Sequence, residues 1–231
     1  MAITFVAAGA WTQSASANIT PPMPAGIATN DILILVINGG YNSGSIPAQW
    51  TLLQTFTGEN TDAVYWLRYT GSQTAQAIPW VAGNLSGRVF AFRGCVTSGT
   101  PSSTNAILDN VTSVTQLLTT AITVAVGSAV VFCACIATGT TGSAGYSTWS
   151  STLLTLAEIS DNSSLITGST TSIGVAWGVT ASAGSTGTTK VNIATSPGDT
   201  ILFDLLAAGA VVPIPQLPRM VRQAVARAAS Y

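Results

Sequence analysis

An apolar β-unit occurs twice in this chain, and that repetition limits the fold more than any other feature of the sequence. From Asn30 to Gly94 the order is NDILILVINGG, a Gly/Ser break, PAQWTLLQTF, DAVYWLRYTGS, AIPWVAG and SGRVFAFRG. From Gly127 to Leu206 it recurs more loosely. GSAVVFCACIATG stands for the first apolar strand, STWSSTLLTL for the Trp50 strand, SIGVAWGVTASAG for DAVYWLRYTGSQTA, and DTILFDLLA for RVFAFRG. The copies have no catalytic residues in common, so the duplication reads as architecture rather than chemistry.

Ile32–Ile37 is apolar at every position, the pattern of a central strand covered on both faces. Pro21, Pro22 and Pro24 interrupt any ladder before it, and Asn38-Gly39-Gly40 ends it. Further strands are expected at Ile3–Ala7, Ser16–Thr20, Ala63–Tyr69, a short edge at Ile78–Val81, and Arg88–Arg93. In the second half they are expected at Ile107-Leu108, Leu117–Val126, Leu153–Ile159, Ser172–Thr180, Thr188–Ala194 and Thr200–Ala207. No segment before Pro213 shows a helical apolar period, and strands spaced by Gly/Ser turns predict an all-β, jelly-roll-type β-sandwich built from two related halves. The division is residues 1–96, residues 97–210, the two halves packed as one sandwich or as two adjoining ones, and an arm over 211–231. Pro213, Pro215 and Pro218 make the arm's start extended and stiff. Arg219–Ser230 is the only helix candidate, with Val221, Ala224, Val225 and Ala228 on one face and Arg219, Arg222 and Arg227 on the other.

With 231 residues, core size is not limiting. Charge is: 6% of residues are charged, against about 25% in ordinary soluble domains. Ser, Thr, Asn, Gln and Gly replace the missing charge, giving a neutral, hydroxyl-rich surface suited to a protein docked on a larger body or surrounded by its own copies. The net charge of −1 conceals a split. All eight acids lie between Asp31 and Asp204, opposed there by Arg68, Arg88, Arg93 and Lys190, while the tail carries three arginines. An acidic body argues against nucleic acid as a partner.

Cys133 and Cys135 lie two apart on one strand, hence on one face, as small core hydrophobes; with Cys95 they make no expected disulfide framework. The chain has no His, which excludes Cys/His zinc sites and His-based nucleophilic catalysis. No cofactor and no metal site is expected. The start of the chain lacks the basic region of a secretory signal peptide. Ala121–Ala137 is uncharged over seventeen residues, but Gly127-Ser128 breaks it and its Val/Ile/Thr content favours strands, so no membrane partner is expected.

Paired carboxylates are the enzyme chemistry still open, since glycoside hydrolysis needs only two. The candidates are Glu59 with Asp62, Asp109, Glu158 with Asp161, and Asp204. Glu59, Asp62, Glu158 and Asp161 are expected in turns, where carboxylates are solvated or bond their own backbone. Lys190 is the one lysine and has no supporting pattern. The six tryptophans are candidate sugar platforms, yet Trp50 and Trp149, and Trp66 and Trp177, recur at corresponding places and so belong to the core. Trp11 and Trp80 are the candidates for exposed, glycan-binding aromatics. An enzyme is not expected.

The run NDILILVINGG, PAQWTLLQTF, AVYWLRYTGSQTAQAIPW and GRVFAFRGC resembles a family of β-sandwich virion proteins encoded by tailed bacteriophages. Asp31, Trp50, Thr51, Leu52, Leu53, Arg68, Phe92, Arg93 and Gly94 match its pattern, while Asn30 and Gln49 replace glycines. The likeness covers residues 3–96 well and the second half weakly. It implies a structural virion protein, made in the host cytoplasm and located on the particle. The preferred role is capsid decoration or cement, bridging subunits of the major capsid protein or another virion protein, as a homo-oligomer and most readily a trimer. The arm residues Pro213, Pro215, Pro218, Arg219, Val221, Arg222, Val225 and Arg227 are the expected partner contacts. The alternative is a tail-fibre module binding a receptor or glycan.

Overall fold

The protein is described from a computed structural model over residues 2–41, 46–55, 62–138, 145–166 and 169–209. The first half contributes β1 (Thr4–Ala8), β2 (Thr12–Ser14), β3 (Ile32–Tyr41), β4 (Thr51–Thr55), β5 (Ala63–Arg68) and β6 (Trp80–Arg93). The second contributes β7 (Asn105–Thr119), β8 (Thr123–Val124), β9 (Ala129–Thr138), β10 (Ser147–Ser150), β11 (Ala157–Ile166), β12 (Ser169–Val179), β13 (Gly184–Ser185) and β14 (Thr189–Leu205). The described residues form an all-β sandwich without helices.

Each half builds its own antiparallel sheet. The first has the order β1-β6-β3-β5-β4, with β2 also on β6; the second runs β14-β9-β12-β11, with β7 and β10 also on β14. Because β7 and β9 both pair with Gly198–Phe203, they lie on opposite sides of β14, so the second sheet reads β7-β14-β9-β12-β11. The two orders match strand for strand, and connections stay within a sheet until the chain crosses between sheets after β6.

The registers show how far the repetition goes. Ile34 pairs with Trp66 on one side and Phe90 on the other; Val131 pairs with Trp177 and Phe203. The edge strand β4 has a register shift between Leu52 and Gln54, and β11 has one between Glu158 and Ser160, the matching place. Both central strands are entered by the same turn. Asp31 N–H donates to Ala28 O at 2.9 Å and Ser128 N–H to Ala125 O at 3.3 Å. The third turn residue has positive φ in each case, 74° at Asn30 and 78° at Gly127, the position that Gly or Asn fills in a type II turn.

Alternation along β3 explains its continuous apolar run. Ile32, Ile34 and Val36 face the other sheet, where they meet Val131, Cys133, Val175, Ile201 and Phe203 in one shared core. Leu33, Leu35 and Ile37 face outward and are covered by Ile19, Met23, Ile27, Ile46 and Trp50. The second sheet repeats this, with Phe132, Ala134 and Ile136 outward under Tyr146, Trp149, Leu153 and Leu156. Cys133 and Cys135 both lie in the shared core, as their spacing predicts.

Several local expectations are corrected. STWSSTLLTL is not the ladder counterpart of the Trp50 strand: β10 pairs with β14, and the counterpart of β4 is β11. Six residues intervene between β10 and β11, so the Trp and its following strand are uncoupled. Ser16–Thr20 holds only an isolated bridge, Ile19 with Ile78, and the second strand is Thr12–Ser14. Ile78–Val81 is no separate edge; β6 starts at Trp80 and runs for 14 residues. The strands expected at Ile107-Leu108 and Leu117 belong to one long β7. Ala121–Ala137 forms β8, a turn and β9, and no helix among the described residues is long and apolar enough to cross a membrane.

Candidate binding surface

Three of the described carboxylates, Asp31, Asp62 and Asp204, hold the fold, and two, Glu158 and Asp161, lie on one exposed edge. Asp31 is buried at the end of the turn entering β3. It accepts Ala28 N–H at 2.7 Å and both nitrogens of a bidentate Arg93 fork, Nε at 2.9 Å and Nη2 at 2.8 Å. The Asp31 carboxylate raises the pKa of the Arg93 guanidinium through those bonds and its charge. Two of the positions behind the family resemblance thus form one ion pair. Asp62 is buried and accepts Gly39 N–H at 3.1 Å. Asp204 is fully buried and cradles the loop between the halves. It accepts Ser103 N–H at 2.7 Å, Thr104 N–H at 3.0 Å, and the hydroxyls of Ser102 at 3.1 Å and Ser103 at 2.7 Å.

Glu158 and Asp161 lie exposed on β11, in a strand rather than the expected turn, because the bulge there extends the edge instead of ending it. Glu158 accepts the Trp149 indole N–H at 2.6 Å. Partial desolvation by the surrounding chain first, then the nearby Glu158 charge, pushes the Asp161 carboxyl above its ordinary range, although the residue as a whole is exposed. Glu59 lies outside the described residues, as do the arm positions Pro213, Pro215, Pro218, Arg219, Val221, Arg222, Val225 and Arg227. No cluster of metal-ligating side chains occurs among the described residues.

Trp11 and Trp80 are both half-buried and lie in different clusters. Trp11 packs against the shared core and donates its indole N–H to Gln13 Oε1 at 2.9 Å. Trp80 packs on the outer cluster of the first sheet, and its indole N–H is held by Gly83 O at 2.8 Å. Trp66 and Trp177 are true counterparts, both partly buried against the shared core.

The aromatic that meets an open, polar groove is Trp66. A groove of about 460 Å³ lies between the β4 edge of the first sheet and the loop leading into β7 of the second. Trp66 and Leu53 form its apolar floor, and Thr51, Thr100, Ser102 and Asn105 are among its polar walls. Leu52, 49% exposed, stands at its rim. No acidic or basic residue lines it among the described residues, and Asp204 holds the loop of its wall. A second groove, of about 370 Å³, runs over Ala28–Asp31, Arg93 and Cys95. A third, of about 510 Å³, lies over Ser151–Thr155 and Val179. The repeat predicts Trp66 as core; it is partly buried against the shared core, and its remaining surface faces the loop between the halves across the groove.

No family model, no curated protein and no solved structure matches this chain.

Proposed function

We propose that this protein is a non-catalytic structural component of a phage virion, working through contact surface, with capsid decoration as its placement. The observation that carries the non-catalytic part is the use made of five of the described acids. Asp31 and Asp204 bond turns and loops of their own chain, Asp62 bonds the backbone of β3, and the exposed pair Glu158 and Asp161 lines none of the three grooves. The virion placement rests on the resemblance over residues 3–96. The charge-poor, hydroxyl-rich composition supports it, since such a surface is shielded well by neighbours.

In this reading the sandwich self-associates, and the basic tail with Arg219, Arg222 and Arg227 bonds acidic groups of an adjoining subunit, where charge-assisted hydrogen bonds are strongest. The test is particle occupancy. Full-length protein is expected on purified heads by cryo-electron microscopy, and a chain truncated after Ala210 is expected to be lost from them. Unchanged occupancy of the truncated chain removes the tail's role; absence of the full-length chain from heads removes the placement.

A further inference from the structure

We infer that the Trp66 groove is a binding site for a neutral saccharide, a site opened by one departure from the internal repeat. The inference goes beyond the scaffold role and does not depend on where the protein sits.

The repeat relates the two lateral openings of the sandwich. At one, β6 and β1 of the first sheet lie against β11 and β12 of the second: Arg88 on β6 donates to Ser160 Oγ at 3.1 Å and to Asn162 Oδ1 on β11, and Phe5 on β1 meets Trp177 on β12. At the other, β4 and Trp66 of the first sheet face the start of β7 in the second. The matching positions follow from the ladders. Thr4 pairs with Arg93 and Phe5 with Phe92, and a register shift follows before Ala7 pairs with Ala91. In the second sheet Leu206 N–H donates to Pro101 O at 2.7 Å, and Asp204 N–H to Thr104 O at 3.3 Å, with the same one-residue shift between them. Ser102 therefore stands where Phe5 stands, Leu205 where Phe92 stands, and Trp66 where Trp177 stands.

At the first opening three rings close the gap. Phe5 and Phe92 have centroids 5.7 Å apart, and Trp177 lies 5.7 Å from Phe92 and 6.3 Å from Phe5. At the second opening Ser102 takes the place of Phe5, and the 460 Å³ groove lies between it and Trp66, while Leu205, in the place of Phe92, stays buried in the shared core. That volume falls within the roughly 300–1,000 Å³ of small-ligand sites.

The lining selects the ligand class. An indole flanked by hydroxyls and an amide offers an apolar surface to the C–H face of a sugar ring and hydrogen-bonding groups to its hydroxyls. Among the described residues no cation lines the groove, which disfavours sialylated, sulfated or phosphorylated ligands, whose anionic groups would lose hydration without a cationic partner. Asp204 fixes the hydroxyl-bearing loop through four hydrogen bonds, so its polar wall is set before a ligand arrives.

The experiment uses the full chain on an array of neutral and anionic glycans, followed by calorimetric titration of the hits. Two blocking variants accompany it. Ser102→Phe restores the ring found at the other opening, and Thr100→Trp fills the groove from a residue outside the Asp204 cradle. Wild type is expected to bind neutral glycans, and at least one variant that keeps the wild-type thermal midpoint is expected to bind about tenfold more weakly or worse, a change of about 1.4 kcal/mol. Binding of no glycan, of anionic glycans only, or of an extended peptide along the β4 edge instead overturns the inference. So does neutral-glycan binding that a folded blocking variant leaves unchanged.

Discussion

At the scale of single residues, most of the polar side chains that sequence analysis singles out for chemistry turn out to serve joints. Asn38, read from the sequence only as a strand end, is a further joint, because it links the two sheets through their shared core. Its Nδ2 donates to Ser172 O at 2.8 Å and to Ile136 O at 3.1 Å, with the residue fully buried. Asn38→Ala removes the amide donor from both carbonyls, of which Ser172 O keeps the Tyr146 hydroxyl at 3.3 Å, and urea unfolding is expected to show a loss of about 1–3 kcal/mol. The cysteines supply a second prediction, in pH. Burial pushes the Cys95 thiol up to about 12 and raises Cys133 and Cys135 as well. A folded-state pKa above the unfolded value means the contribution to stability is complete below pH ~9 and is lost as pH climbs through the folded values. The urea midpoint is therefore expected to fall above pH ~9, and Cys133→Ala is expected to flatten that fall. A thiol reagent at pH 8 should label none of the three in the native protein and all of them in denaturant, since the reactive species is the thiolate.

At the scale of elements, the turn entering each central strand tests whether the two halves obey the same local rule. Asn30 and Gly127 occupy the same positive-φ position, and a Cβ added at Gly127 would meet nothing nearer than Ala207 Cβ at 3.9 Å. Space is thus available and only the backbone objects. Gly127→Ala is expected to cost about 1–2 kcal/mol by denaturant titration, the penalty of a left-handed L-residue, while Asn30→Gly is expected to be near neutral. Elements of this kind were legible in the sequence. The apolar runs of β3 and β9, the Gly/Asn turns before them and the Trp66/Trp177 correspondence all follow from local pattern, as does the facing of Cys133 and Cys135. The position of β10 was not legible: TWSSTLLTL resembles WTLLQTF in composition, but partner choice is decided by which ladder has an open side, and β14 supplied one. The groove was less legible still. It arises from Ser102 replacing an aromatic on one sheet and is felt at Trp66 on the other, a relation that no spacing along the chain encodes.

At the scale of the whole molecule, the arrangement is that of a two-fold pair joined in one chain. Strands β6 and β1 of the first sheet meet β11 and β12 of the second, and the β4 edge of the first meets the start of β7, the counterpart of β1. Such reciprocity is what an isologous interface produces when two copies of one unit pack face to face. The energetic consequence follows from the core. Ile34, Val36, Phe90 and Phe92 have their inner contacts in the second half, with Val131, Cys133, Ile201 and Phe203, so either half alone exposes an entire apolar face. Burying such faces contributes roughly 25 cal/mol for each Å² removed from water, and that stabilisation is absent from a separated half. The intact protein is expected to unfold in urea as one transition with coincident fluorescence and circular-dichroism curves. Residues 2–96 expressed alone should never give a folded monomer; sedimentation should find a dimer or larger species. If it is a dimer, Phe5 of each copy is placed to fill the opening beside the other's Trp66, so both lateral gaps close as the Phe5–Trp177 end does in the intact chain. A folded monomeric half with native-like stability would mean that the outer clusters alone can hold a sheet, and the shared core would lose its place as the source of cooperativity.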